Sequence, residues 1–302
     1  MLPDIRQNDY LFKVPLFDIQ KDDIDNFLDE LLGFHQNFED CFHRPESRGH
    51  FFRYMVGQFS DLERKSIALN GQNGKVRAMQ RFISEAEWDD EKICQRYRGM
   101  VGEDLGSPEG AIIFDETGFP KKGSHSIGVA KQYCGTIGKV DNCQVGVFAA
   151  YVSPYGYALI DKEIYIPKKW FGEDYEERRQ KCRLPEGMEF QTKPQLASGM
   201  LIKIVQEGTV PFKYVLADSV YGENPEFIET VESLVGVTYF VSVASDTLCW
   251  LQQPVVTEKQ YKNRGKKKTK KILAPGEKPP VSVKELGKRI NNYFWYRRTV
   301  SE

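Results

Sequence analysis

The stretch IIFDETGFPKKG, residues 112–123, decides how the rest of the chain is read. The apolar run Ala111 to Phe114 reads as a short buried strand that ends at Asp115. Gly118, Pro120, Lys121 and Lys122 then read as a turn presenting two lysines beside the carboxylate. A second aspartate, Asp218 in YVLADSVYG, follows another apolar run, Phe212 to Ala217. An Asp in such a place can simply cap a turn. A pair of them side by side can do more. Close carboxylates repel unless a cation lies between them, and Mg²⁺ or Mn²⁺ binds carboxylate oxygens while leaving positions open for phosphate. Asp115 and Asp218 are therefore the candidate catalytic and metal-binding residues, with Lys121 and Lys122 as phosphate contacts.

Whether they are side by side depends on strand order. After Ala111–Phe114, residues 144–153 and 157–167 read as two strands joined by Pro154-Tyr155-Gly156, a hairpin signal. Helices follow at 173–183 and at 194–207, where Pro194 opens the first turn. A strand at 212–217, a helix at 224–235 and a strand at 238–243 complete the pattern. The order β-β-β-α-β-α-β is an α/β pattern with a mixed sheet, and it is the order of the ribonuclease H-like fold. There the first and fourth strands are neighbours, so both aspartates project from one end of the sheet.

Upstream, residues 1–107 read as a helical region. Asp22 or Asp23 is placed to cap a helix carrying Ile24, Phe27, Leu28, Leu31 and Leu32. Phe52, Met55, Val56, Phe59 and Leu62 mark a second helix, and Val76, Met79 and Ile83 a third. Ser84 with Glu87 has the form of a capping box, although the acids at 89–91 can equally start the helix containing Ile93 and Tyr97. Gly71, Gly74 and Gly99 read as breaks. The expected domains are 1–107, helical, and 108–302, catalytic, with a β-rich basic insertion starting near residue 250; for a protein that acts on DNA, 1–107 is the expected DNA-binding part.

Composition removes several classes. The 302-residue chain is 40% hydrophobic and 28% charged. It shows neither a run of about 18 apolar residues nor a secretory signal pattern, so a cytoplasmic protein is expected, at the nucleoid only when bound to DNA. None of the six cysteines forms a CxxC pair, and Cys41, His43 and His50 match no common zinc spacing. No Walker loop or GxSxG motif is present, and His125 has no evident serine or cysteine partner. The formal net charge is −1, yet residues 1–50 hold 11 acidic against 5 basic side chains and residues 253–302 hold 4 against 14. The basic excess centres on Arg264, Lys266, Lys267, Lys268, Lys270 and Lys271. Such a run is either a solvated loop or a loop that tracks phosphates without sequence choice. Trp250, Trp295 and Tyr296 read as core rather than base-stacking residues.

The block FDETGFPKKGSHSIGVAKQYCGTIGKVDNCQVGVFAAY closely resembles the first catalytic block of insertion-sequence transposases of the IS701 type, within the DDE endonuclease superfamily. VLADSVYGENPEF resembles their second block, and FQTKPQLASGML the helix before it. FSDLERKSIALN and MQRFISEAEWDDEKI are similar to their helical N-terminal region. The family often has two acids before Thr where this chain has Asp115-Glu116-Thr117. The resemblance implies Mg²⁺- or Mn²⁺-dependent cleavage of DNA at element ends, strand transfer into target DNA, and a homodimer. It also implies a third acid, a glutamate on a helix after the fifth strand. Arg298 and Glu302 have part of a related spacing, but Trp295 stands where Tyr is expected, so the third acid stays unassigned. A C-terminally truncated chain is the expectation. The alternative is a catalytically inactive, DNA-binding transposase remnant.

Overall fold

The structure, a computed structural model, describes residues 21–59, 76–261 and 268–289; for 21–25, 28, 59, 259–261 and 268–270 it describes the backbone alone. Among the described residues four helices come first: α1 Lys21–Gln36, α2 Pro45–Phe59, α3 Val76–Ser84 and α4 Asp90–Leu105. Phe38, Cys41, Phe42, Met79 and Phe82 form their core, with the Phe42 and Phe51 rings 4.8 Å apart. Cys41 is thus an apolar packing residue. α1 already begins at Lys21, ahead of the two proposed capping aspartates. The Asp89 carboxylate accepts from the Lys92 backbone N–H and caps α4. Ser84 instead closes α3, its hydroxyl donating to the Gln80 carbonyl. α4 runs through Gly99 without a break. Further along, a Cβ on Gly102 would lie 2.0 Å from the Thr209 carbonyl oxygen. Only glycine allows that helix to approach the following segment so closely.

The remainder is a mixed α/β unit. β1 Ala111–Pro120, β2 Ala130–Cys134, β3 Lys139–Ser153, β4 Gly156–Tyr165, β5 Tyr214–Ala217 and β6 Thr238–Val241 build one sheet. Its order is β2-β3-β1-β5-β6, with β4 also on β3. The β2, β3, β4 and β1 pairings are antiparallel, and β1–β5 and β5–β6 are parallel. Four strands therefore precede the helices, not three. The unforeseen one, AKQYC, is short and has few apolar side chains to announce it.

β1 corrects the opening expectation more sharply. It does not end at Asp115 but continues to Pro120, paired with β3 as far as Pro120↔Cys143. Its parallel pairing with β5 covers Ala111 to Phe114 alone. The apolar run therefore ends where β1 loses one of its two neighbours, and the polar residues continue as an extended strand flanked on one side.

Helices α5 Glu176–Lys181, α6 Lys193–Glu207, α7 Ser219–Gly222 and α8 Pro225–Glu232 follow. Ile112, Phe114, Val147, Ala149 and Tyr151 of the sheet are buried in one core with Ala197, Met200, Leu201 and Ile204 of α6 and Phe227 and Val231 of α8. Each fully buried side chain of this size contributes about 1.5–3 kcal/mol. Thr192 and Gln195 form a capping box at the start of α6. Tyr97 of α4 packs against both cores and links the helical region to the sheet.

Beyond residue 247, β7 Leu248–Cys249 pairs with β10 Val281–Ser282, and β8 Val256–Tyr261 pairs with β9 Lys268–Leu273. A short helix, α9 Val283–Arg289, ends the described chain. Trp250 is 42% exposed, not core; its indole N–H donates to the Lys278 carbonyl. Trp295 and Tyr296 lie outside the described residues.

Candidate metal centre

Asp115 is the first residue of β1 beyond the end of β5, and Asp218 is the first residue after β5. Parallel pairing of Phe114 with Ala217 sets the two aspartates next to each other. Glu116 joins them. One carboxylate oxygen from each of Asp115, Glu116 and Asp218 lies within 4.8 Å of the others, the one such cluster among the described residues.

Each carboxylate is oriented by local bonds. Asp115 Oδ1 accepts the Glu116 backbone N–H at 2.8 Å. Asp218 is the N-cap of α7, and its Oδ1 accepts the Val220 N–H at 2.9 Å. Glu116 is held from two helices. Lys193 Nζ, in the first turn of α6, donates to Oε1 at 2.6 Å, and the Tyr221 hydroxyl of α7 donates to Oε2 at 2.9 Å. Burial, followed by the Glu116 and Asp115 charges, pushes the Asp218 carboxyl above the usual Asp range, against the pull of the Val220 N–H. Burial also drives the Tyr221 phenol far up, reinforced by Glu116. Tyr221 therefore stays a protonated donor.

The donor set consists of carboxylate oxygens alone, which suits a hard divalent cation. Two oxygens about 2.0–2.1 Å from one Mg²⁺ are at most about 4.2 Å apart, so carboxylate oxygens that lie within 4.8 Å of one another need only a small inward movement to share an ion.

The two expected ligands are thus brought together, but the lysines are not. Lys121 and Lys122 follow the end of β1, six and seven residues past Asp115, which at strand rise is about 20 Å away. The cation at the cluster is Lys193, which the sequence reading did not single out as a site residue. One signal could have found it: a lysine in the first turn of a helix faces the positive end of the helix dipole, where acids are usual. Of the basic run, Lys268, Lys270 and Lys271 belong to β9, and Lys271 is exposed. Arg264, Lys266 and Lys267 lie outside the described residues, as do Arg298 and Glu302. Glu285 on α9 is paired with Lys288 at 2.7 Å and is not in the cluster.

Comparison with known proteins agrees with this geometry. Residues 37–302 match the family described as DDE superfamily endonuclease. Over 208 residues, 65% of this chain, the sequence is 32% identical to the probable transposase for insertion sequence element IS701 of Microchaete diplosiphon. The match covers 49% of that relative, so the chain spans about half the length of the curated protein it resembles. With a family match over most of its length and three carboxylates gathered where the parallel pairing of β1 with β5 ends, this chain belongs to the DDE superfamily endonucleases.

Proposed function

We propose that the protein is an insertion-sequence DNA transposase with a ribonuclease H-like catalytic domain at 108–302. In this reading Asp115 and Asp218 hold Mg²⁺ or Mn²⁺, and Glu116 is the third carboxylate within reach. A divalent ion held there supplies positive charge to activate the attacking hydroxyl and stabilise the departing oxygen of an in-line phosphoryl displacement. The chain's own residues do the positioning. The Glu116 and Val220 N–H groups orient the two aspartates, and Lys193 with Tyr221 orients Glu116. The observation that carries the proposal is the convergence of three carboxylate oxygens at the end of the β1–β5 pair.

The helical region, 1–107, is assigned to DNA binding, and the β-rich segment from about 250 to phosphate tracking. Lys121 and Lys122, together with Arg264, Lys266, Lys267, Lys268, Lys270 and Lys271, are the proposed phosphate contacts. They would grip DNA away from the cleavage point, giving salt-sensitive affinity. No described helix is long and apolar enough to cross a membrane. Action on DNA at the nucleoid, as a homodimer, is part of the proposal.

The test is cleavage of a supercoiled plasmid carrying element ends. Mn²⁺ is expected to support cutting and EDTA to stop it. Asp115→Asn and Asp218→Asn are each expected to lower the rate more than about a hundredfold. Undiminished cutting by either variant removes that residue from the mechanism. DNA binding that persists in EDTA, with no cutting under any metal, replaces the enzyme with a non-catalytic DNA-binding remnant.

A further inference from the structure

Three carboxylates lie within 4.8 Å of one another, and among the described residues the ammonium hydrogen-bonded to one of them, Glu116, is that of Lys193. Its surroundings are built rather than incidental. The Lys193 and Glu116 side chains are 23% and 20% exposed, so the pair is largely shielded from water. Lys193 Nζ also lies 5.7 Å over the Tyr165 ring, a placement that favours a cation. The backbone beneath it is fixed by the Thr192–Gln195 capping box and by Pro194. A lysine in this first turn opposes the helix dipole. The helix therefore places its backbone, while Glu116 and the ring hold its ammonium.

From this we infer that Lys193 is a built-in counter-cation of the metal centre, keyed to Glu116. It holds the cluster together without metal, and an incoming divalent ion binds against its charge. Lys193 is thus a positioning residue that sets ion affinity. The inference rests on the assignment of Asp115 and Asp218 as ligands, since without an ion to oppose, the Lys193–Glu116 pair is only a structural salt bridge.

The experiment is calorimetric titration of the full chain with Mn²⁺ alone, with thermal unfolding recorded in EDTA and in Mn²⁺. Lys193→Met is expected to tighten Mn²⁺ binding at least about tenfold, because a like charge close to the ion is gone. It is also expected to lower the midpoint in EDTA and to recover it in Mn²⁺. Lys193→Arg, which keeps the charge, stays near wild type in affinity. The double variant Lys193→Met/Glu116→Gln removes both charges of the pair, so it folds without metal and returns to wild-type affinity. Equal or weaker Mn²⁺ binding by Lys193→Met overturns the counter-cation role. The same tightening in the double variant overturns its keying to Glu116. A wild-type protein that takes up no Mn²⁺ overturns the metal-centre assignment itself, and the role of Lys193 with it.

Discussion

Two acidic clusters in this protein are built from the same residue types and differ in how many cations sit among their carboxylates. The first surrounds Arg98 of α4, whose side chain is fully buried. Glu207 accepts two hydrogen bonds from it, each 2.6 Å. Glu91 accepts at 2.8 Å, and Asp161 lies 3.2 Å away. Lys203 adds a second cation, 2.8 Å from Glu91 and 3.3 Å from Asp161. Burial opposes the Arg98 charge, but the Glu207 and Glu91 bonds and Asp161 outweigh it and hold the guanidinium protonated. The second cluster, Asp115, Glu116 and Asp218, has among the described residues one ammonium, that of Lys193, hydrogen-bonded to Glu116. Carboxylates with resident cations tie α4, α6 and β4 together. Carboxylates with fewer cations among them are where, in the proposed function, a divalent ion binds. Charge balance, more than the count of acids, separates the two roles.

The comparison breaks most visibly at Arg98. Arg98→Met strands Glu207, Glu91 and Asp161 around one lysine, and is expected to cost about 3–5 kcal/mol, read as a loss of urea-unfolding free energy. A loss under about 1 kcal/mol would show that this cluster is no more than a surface network.

Removing a charge from the other cluster should act in reverse. Asp218→Asn relieves repulsion and is expected to raise the thermal midpoint of the metal-free protein. Mn²⁺ at about a hundred times its Kd adds about 2.7 kcal/mol to the wild type and almost nothing to the variant. Destabilisation by Asp218→Asn in EDTA would erase the contrast, and would leave Asp218 as a helix cap alone.

The smallest effect sharpens the exposed limit of the compensated pattern. Asp40 accepts from Lys92 at 2.9 Å and Arg96 at 2.6 Å. Lys92 first, then Arg96, holds its carboxyl down to about 2. The folded value lies below the unfolded one of about 3.9, so the stabilisation is present above that pH and is lost as pH falls towards 2. Asp40→Asn should therefore be slightly less stable than wild type at neutral pH. The gap in urea midpoint should close between about pH 4 and pH 2; a gap constant over that window would mean the ion pair contributes nothing.

Legibility varied by element for physical reasons. The β3–β4 hairpin and α6 could be read because local chemistry specifies them: a Pro-Tyr-Gly turn in the first case, a Thr-Lys-Pro-Gln start in the second. β1 was read too short. Its far half is polar and is held by β3, a partner about 30 residues away, so no local period reports it. Gly99 was read as a break because an isolated helical glycine looks like one; packing of α4 on both cores overrides that cost of about 1 kcal/mol. Glu116 was visible as an acid, but its convergence with Asp218 depends on where β5 stops.

What sequence alone determined was the alternation of elements, the two aspartates at the ends of apolar runs and the family, because these reside in residue type and spacing. Which cation faces the carboxylates was decided by tertiary structure. Lys121 and Lys122 are near Asp115 in the chain and about 20 Å away in space, because an extended strand separates them. Lys193, 77 positions from Glu116, is 2.6 Å away, because α6 packs on the sheet and delivers its first turn to the middle of β1, just past the end of its pairing with β5.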